Sequence, residues 1–199
     1  MKIGINDFGR IGQLFPRSSL ERGVNLNVVA INDRGDAEIN AYLFQFDSTY
    51  GPFRGRVEAE NGQININDCS IKVTSYLNPL DIPWRDPGVE QVIEATGAFT
   101  TGEQAVVYLQ AGVERVLVTA PCKGSDVALV VGVNEHDFDP ANYQIISVAS
   151  CTTNGLAPIA KVPHEHFRIR ARMMTTIHAY TKDQRILDRS HKDPRHEHV

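Results

Sequence analysis

The residues best equipped for covalent chemistry stand together at Ser150-Cys151-Thr152-Thr153-Asn154. They join an apparent strand, 144–148, to the start of an apparent helix that runs through 156–166. A thiol at a helix start sits among unpaired backbone N–H groups and at the positive end of the peptide dipoles, which favours thiolate over thiol. With a basic partner such cysteines fall from a free value near 8.5 to roughly 3.5–7.5. Cys151 is therefore the candidate nucleophile, and the hydroxyls of Ser150, Thr152 and Thr153 with the Asn154 amide suit an anion held beside it. A lone cysteine is more often a small buried apolar residue. These polar neighbours reverse that expectation.

A base is available further on. The long apolar run 171–177, expected to form a strand ending at His178, leads into His178-Ala179-Tyr180-Thr181. An imidazole can draw a proton from a cysteine and later from a thiohemiacetal hydroxyl, so a Cys and a His brought together across a fold make the minimal machinery for covalent carbonyl chemistry. His178 is one of seven histidines. Four others, His164, His166, His196 and His198, fall in helix-end or tail segments, and His136 in an acidic loop. A metal site at His164 and His166 is disfavoured, because residues two apart on a helix point to different faces.

A second chemistry is written in the first turn. A dinucleotide fold ends its first strand in G-x-G-x-x-G, where glycines permit a tight turn, close approach of a pyrophosphate and close packing of helix on strand. Here the six positions are Asp7-Phe8-Gly9-Arg10-Ile11-Gly12, so the first glycine is an aspartate. Asp tolerates a positive backbone angle better than most residues. Its charge is the harder problem, since a carboxylate about 4 Å from a phosphate costs up to roughly 4 kcal/mol at an effective dielectric near 20. Asp33, at the end of the second apparent strand, can accept hydrogen bonds from an adenosine ribose and disfavours a 2′-phosphate, which points to NAD. Arg34 keeps NADP open, and the plainer reading of Asp33 is the start of a turn before Gly35.

These residues need a frame. The 199 residues, 42% hydrophobic and 22% charged, suffice for one or two globular domains. A net charge of -4 offers no electrostatic reason to expect nucleic acid or an anionic membrane as partner. Cys69, Cys122 and Cys151 are odd in number, widely spaced and without a CxxC pair, which suits a reducing compartment and argues against a zinc site or disulfide framework. No basic leader precedes an apolar run at the N-terminus, and the expectation is a soluble cytoplasmic protein. Strands are expected at 1–6, 26–31, 91–95, 115–118, 127–131 and 144–148, and helices at 10–22, 37–46 and 103–111. Such alternation implies an α/β fold with a doubly wound parallel sheet. Between them, 57–60, 63–66 and 70–74 are short alternating runs separated by Asn61-Gly62 and Asn67-Asp68, the pattern of hairpins.

Taken together, the chain resembles the N-terminal portion of the phosphorylating glyceraldehyde-3-phosphate dehydrogenases, from Met1 to about Arg195. The resemblance is carried by Ile3-Gly4-Ile5-Asn6, Phe8-Gly9-Arg10-Ile11-Gly12, Ile31-Asn32-Asp33, Phe46-Asp47-Ser48-Thr49-Tyr50-Gly51, Ile82-Pro83-Trp84 and Ala95-Thr96-Gly97-Ala98-Phe99-Thr100. It continues through Ala149-Ser150-Cys151-Thr152-Thr153-Asn154, Met174-Thr175-Thr176-Ile177-His178-Ala179-Tyr180-Thr181 and His191-Lys192-Asp193. Erythrose-phosphate dehydrogenases fit less well around Asp47-Ser48-Thr49 and His178-Ala179-Tyr180-Thr181. The resemblance implies a Rossmann NAD-binding domain over 1–149 and the incomplete start of a catalytic domain over 150–199. It implies that Cys151 attacks the aldehyde of glyceraldehyde 3-phosphate, that His178 assists as base, and that inorganic phosphate releases the thioester as an acyl phosphate. By the same resemblance Ser150, Thr152 and Thr181 hold phosphate groups, Arg10 and Ile11 with Gly9 meet the cofactor diphosphate, Asp33 the ribose, and Thr119 lies near the nicotinamide. The family is homotetrameric.

Departures accompany the likeness. Besides Asp7, Leu77 stands where an arginine meets the adenine end, Val148 replaces an asparagine and Gly155 a cysteine. Pro16 and Pro163 fall inside expected helices, where an interior proline loses a hydrogen bond and costs about 3 kcal/mol. A kink at Pro163 is expected, not loss of the Cys151 turn. The likeness stops near Pro194, before the family's further catalytic strands and final helix, so a truncated or frame-shifted product is expected. Three readings follow: a dehydrogenase, a nucleotide-binding module without turnover, and a fragment that only associates with longer subunits or misfolds.

Overall fold

The structure is a computed structural model that describes residues 1–24 and 26–179. The chain divides into two compact units, Met1–Val162 and Pro163–Val199. In order, the elements are β1 (Lys2–Asn6), α1 (Arg10–Glu21), β2 (Asn27–Asn32), α2 (Ala37–Gln45), β3 (Phe46–Asp47) and β4 (Gly51–Pro52). Then come β5 (Val57–Glu60), β6 (Gln63–Ile66), β7 (Cys69–Thr74), β8 (Gln91–Glu94), α3 (Gly102–Gln110), β9 (Arg115–Val118), β10 (Val127–Ala128), β11 (Ile145–Ser147) and α4 (Cys151–Phe167).

Nine of these strands form one sheet in the order β10-β11-β9-β8-β1-β2-β7-β6-β5. Pairing is parallel from β10 through β7 and antiparallel where β6 and β5 extend the edge. The doubly wound parallel sheet expected from strand–helix alternation is therefore present. Its order reverses at β1, which has β2 on one side and β8 on the other. Ligands of such sheets bind in the crevice outside the strand C-termini at this switch point.

Alternation sorts the core onto two faces of the sheet. On β8, Val92 belongs to the cluster with Trp84, Tyr108 and Val116, and its neighbour Ile93 to the cluster with Ile5, Phe8 and Phe44. On β2 the pattern skips: Val28 and Ile31 share one cluster while Ala30 joins the other. The register explains it, since Ile3 pairs with Val28 but Gly4 with Ala30, leaving Val29 as a bulge. The hairpins form as read, with Asn61 (φ 52°) and Gly62 (φ 73°) both in the left-handed conformation that a two-residue hairpin turn requires.

Two expectations need correction. The strand read over 127–131 ends at Ala128, because the Asn134 side chain takes its backbone groups: Val130 N–H donates to Asn134 Oδ1 (2.9 Å) and Asn134 Nδ2 to the Ala128 carbonyl (3.0 Å). Pro16 lies inside α1 and Pro163 inside α4, so both expected helices run through their prolines. In the second unit, residues 168–179 carry no regular secondary structure, so the strand expected to end at His178 does not form among the described residues. A strand is held by ladder bonds to a neighbour, and without one it has no backbone partner to define it.

Candidate functional site

The turn after β1 is built for close approach. A Cβ at Gly12 would lie 2.0 Å from the Asp7 carbonyl oxygen, so only glycine lets α1 sit this near the turn. Asp7 adopts φ 74°, occupying as a non-glycine the left-handed position that the motif gives to its first glycine. Its carboxylate folds back, Oδ2 accepting the Gly9 N–H at 3.2 Å. The first turn of α1 has Gly9 as N-cap, with no side chain capping it and no acidic residue within it. Backbone N–H groups of Arg10 and Ile11 thus stand at the positive end of a twelve-residue helix. The Arg10 guanidinium is drawn aside, its Nη1 donating to Asp47 Oδ2 at 2.9 Å. Asp47 also accepts the Tyr50 and Thr49 N–H groups, which together with Arg10 hold its carboxyl below the usual range.

Asp33 follows β2 and reaches across to the same turn. Its Oδ2 accepts the Phe8 N–H and its Oδ1 the Gly35 N–H, both at 2.8 Å. The turn reading of Asp33 is therefore correct, and it leaves lone pairs for a ribose hydroxyl, since a carboxylate accepts about four bonds. Leu77, just past Tyr76, is 84% exposed. These features fit a dinucleotide: a glycine cradle, an uncapped helix start and a carboxylate with spare acceptors. Asp7 is the one member that opposes an anion there.

Beneath the turn lies a buried polar network that the sequence reading missed. Glu94, at the end of β8, is 1% exposed. Its Oε1 accepts the Thr96 N–H (2.7 Å) and hydroxyl, and its Oε2 accepts Asn6 Nδ2 (3.1 Å) and the Tyr108 hydroxyl. Asn32 Nδ2 donates to Asn6 Oδ1 (2.8 Å), and Asn32 Oδ1 accepts the Tyr76 N–H (2.8 Å), so the network ties the ends of β1, β2 and β8. The available signal was a carboxylate and two asparagines closing three apolar strands. Next along, Thr119 follows β9 with its hydroxyl on the Glu94 carbonyl at 3.0 Å.

The cysteine turn belongs to the same strand ends. Val148 N–H donates to the Val118 carbonyl (3.1 Å), and the Ser147 hydroxyl to that of Ala120 (2.8 Å), which moors β11 beside β9. Ala149 then takes φ 58°, a strained conformation for a residue with a Cβ, and the chain turns sharply into α4. Ser150 caps the helix, its Oγ accepting the Thr153 N–H at 3.0 Å, and Asn154 Nδ2 binds the Val148 carbonyl at 2.7 Å. Cys151 is the first residue of α4, exposed, with Thr152 half-buried beside it. Lys161 secures the helix further on, Nζ donating to the Gly132 (3.1 Å) and Val133 (3.0 Å) carbonyls.

The first unit thus gathers Gly9, Arg10, Ile11, Asp33, Thr119, Ser150, Cys151 and Thr152 at the C-terminal ends of its parallel strands. His178 belongs to the second unit, exposed, with Nδ1 on the Ala179 carbonyl. Thr181 lies outside the described residues. A recess of about 530 Å³ is lined by Arg17, Glu21, Tyr50 and Phe53 among others and includes none of these residues. Its Arg17 is already spent on Glu21 Oε1 (3.1 Å) and the Gly51 carbonyl (2.8 Å). No group of three or more His, Cys, Asp or Glu placed to hold a metal occurs among the described residues, and no described helix is long and apolar enough to cross a membrane.

Comparison with known proteins agrees with this architecture. The family described as "Glyceraldehyde 3-phosphate dehydrogenase, NAD binding domain" matches residues 1–102, and "Glyceraldehyde 3-phosphate dehydrogenase, C-terminal domain" matches 150–198. Curated relatives named glyceraldehyde-3-phosphate dehydrogenase include those of Streptomyces coelicolor and Thermotoga maritima, each 47% identical over 195 residues. In both cases the match covers 98% of this chain and 58% of the relative, so the chain spans less than two thirds of their length.

Proposed function

This chain belongs to the glyceraldehyde-3-phosphate dehydrogenase family, and on that premise we propose that it binds NAD at the β1 switch point and uses Cys151 as nucleophile toward glyceraldehyde 3-phosphate in the cytoplasm. The supporting observation is the cysteine turn itself. An exposed thiol opens a long helix next to a capping serine, on the sheet edge that also carries the glycine turn.

In this reading the helix start of α1 binds the cofactor diphosphate through the Arg10 and Ile11 N–H groups, and Asp33 accepts from the ribose. Bound NAD supplies the acceptor for the substrate's hydride. Cys151 Sγ adds to the aldehyde carbon, His178 takes the proton from the resulting hydroxyl, and loss of hydride leaves a thioester on Sγ. Inorganic phosphate attacks that carbonyl, the C–S bond breaks, and Cys151 is regenerated as 1,3-bisphosphoglycerate leaves. Ser150, Thr152 and Thr181 hold the phosphate groups.

The test is NADH formation from glyceraldehyde 3-phosphate, NAD and phosphate. Turnover abolished by Cys151→Ser is the expected result, and no Cys151-dependent NADH removes the enzyme reading for this chain. A second reading, a dinucleotide-binding module without turnover, is favoured by the lack of regular structure over 168–179, where the base resides. Calorimetric binding of NAD without turnover would select it.

A further inference from the structure

The crevice floor holds a buried carboxyl that the proposed reaction does not use. Four donors converge on Glu94, and a carboxylate offers about four lone-pair sites, so each is taken. The hydroxyl directions are dictated as well. Tyr108 accepts from Asn6 Nδ2 at 2.6 Å, and the Thr96 hydroxyl accepts from the Ala98 N–H at 3.0 Å, so both hydroxyl hydrogens go to Glu94. A proton on Glu94 would have to point at one of those oxygens and turn away a hydroxyl hydrogen that has no other acceptor among the described residues. Leaving the buried Tyr108 donor unmet is unfavourable, and displacing the half-buried Thr96 hydroxyl also breaks its link to Glu94.

Among the described residues no lysine, arginine or histidine forms an ion pair with Glu94, and Tyr108 is the one titratable side chain bonded to it. Burial pushes the Glu94 carboxyl above its ordinary range, while Thr96, Tyr108 and Asn6 hold it back. The same carboxyl anchors Thr96, whose hydroxyl in turn receives Ala98 across Gly97 (φ 70°). That turn follows β8 directly, beside the end of β1.

We infer that Glu94 is an ionised positioning residue of the dinucleotide crevice: its carboxylate fixes the Thr96–Ala98 wall, and its uncompensated charge makes the crevice favour NAD over NADH. The cofactor part rests on the NAD-binding reading above. NADH carries one more negative charge than NAD, so a fixed anion disfavours the reduced form more. At an effective dielectric of about 20, unit charges some 10 Å apart alter a binding ratio by roughly 15-fold.

The experiment compares the wild-type chain with Glu94→Gln by infrared difference spectroscopy without ligand, then by titration with NAD and with NADH. At neutral pH the wild type should show carboxylate bands lost in Glu94→Gln. A protonated-carboxyl C=O band that the substitution removes overturns the inference. The ratio of the NADH to the NAD dissociation constant should fall by roughly that 15-fold factor in Glu94→Gln. Equal weakening of both cofactors, the signature of loosened structure alone, overturns the charge role. A wild-type chain that binds neither dinucleotide sinks the NAD reading and the cofactor part together, while the infrared band still decides the ionisation. Should Glu94→Gln not fold, Tyr108→Phe removes one donor and keeps the carboxyl. Its protonated band must then appear at a higher pH than in the wild type, and an unmoved band counts against the four-donor account.

Discussion

Replacing Asp7 with glycine should tighten NAD binding. In the structure the Asp7 carboxylate lies over the glycine turn, with Oδ2 3.2 Å from the Gly9 nitrogen, and occupies one of the N–H groups a diphosphate would use. Two unit charges about 4 Å apart repel by roughly 1 kcal/mol in water and 4 kcal/mol at a dielectric near 20. Asp7 is half-buried, so screening places the effect toward the lower end, at about 1–2 kcal/mol, or about 5- to 30-fold in the dissociation constant. Glycine adds a second gain, because it accepts φ 74° without a Cβ and leaves the Gly9 N–H to the ligand. Isothermal titration with NAD at low salt measures the effect. Asp7→Asn separates the contributions, since it removes the charge, tolerates the same backbone angle and keeps an acceptor for Gly9. It should recover the electrostatic part and Asp7→Gly somewhat more. If both variants bind NAD as the parent does, either the diphosphate does not sit on this turn or the carboxylate does not face it, and the reasoning fails.

Three further outcomes follow from the same geometry. Gly12→Ala places a Cβ 2.0 Å from the Asp7 carbonyl oxygen, so α1 must shift. Its urea midpoint should fall by an amount corresponding to about 1–3 kcal/mol, with NAD binding lost; unchanged stability would show the approach is looser than described. Asp47 has its carboxyl pKa held below the ordinary value by the Tyr50 and Thr49 N–H groups and by Arg10, so its contribution is complete above the ordinary carboxylate pKa and is lost as pH falls through the lowered one. Asp47→Asn should therefore be less stable than wild type near neutrality and converge with it in strong acid, and a pH-independent difference contradicts the assignment. Iodoacetamide at neutral pH should label exposed Cys69 and Cys151 and spare Cys122, which is buried and whose thiol burial pushes up, until the chain is unfolded. Peptide mass spectrometry reads this, and early labelling of Cys122 would refute it.

The Asp7 case also shows how far local sequence reaches. That an aspartate could replace the first glycine was legible, because tolerance of the left-handed region is a property of one residue. Where its carboxylate turns was not, since that depends on the folded turn bringing the Gly9 N–H within reach. The hairpins at Asn61-Gly62 and Asn67-Asp68 were legible for the same local reason.

By itself the sequence determined the strand–helix alternation, the glycine turn, the Ser-Cys-Thr-Thr-Asn helix start and the family they indicate, because hydrophobic period and turn chemistry act within a few residues. Tertiary structure decided what depends on distant partners. The bulge at Val29 appears only when β2 pairs with β1, and Asn134 shortens β10 only once its side chain folds back on Ala128 and Val130. Residues 171–177 have the composition of a strand but no ladder neighbour among the described residues. Glu94 reads as an ordinary charged strand end until Asn6, Thr96 and Tyr108, from as far as 88 positions away, close around it.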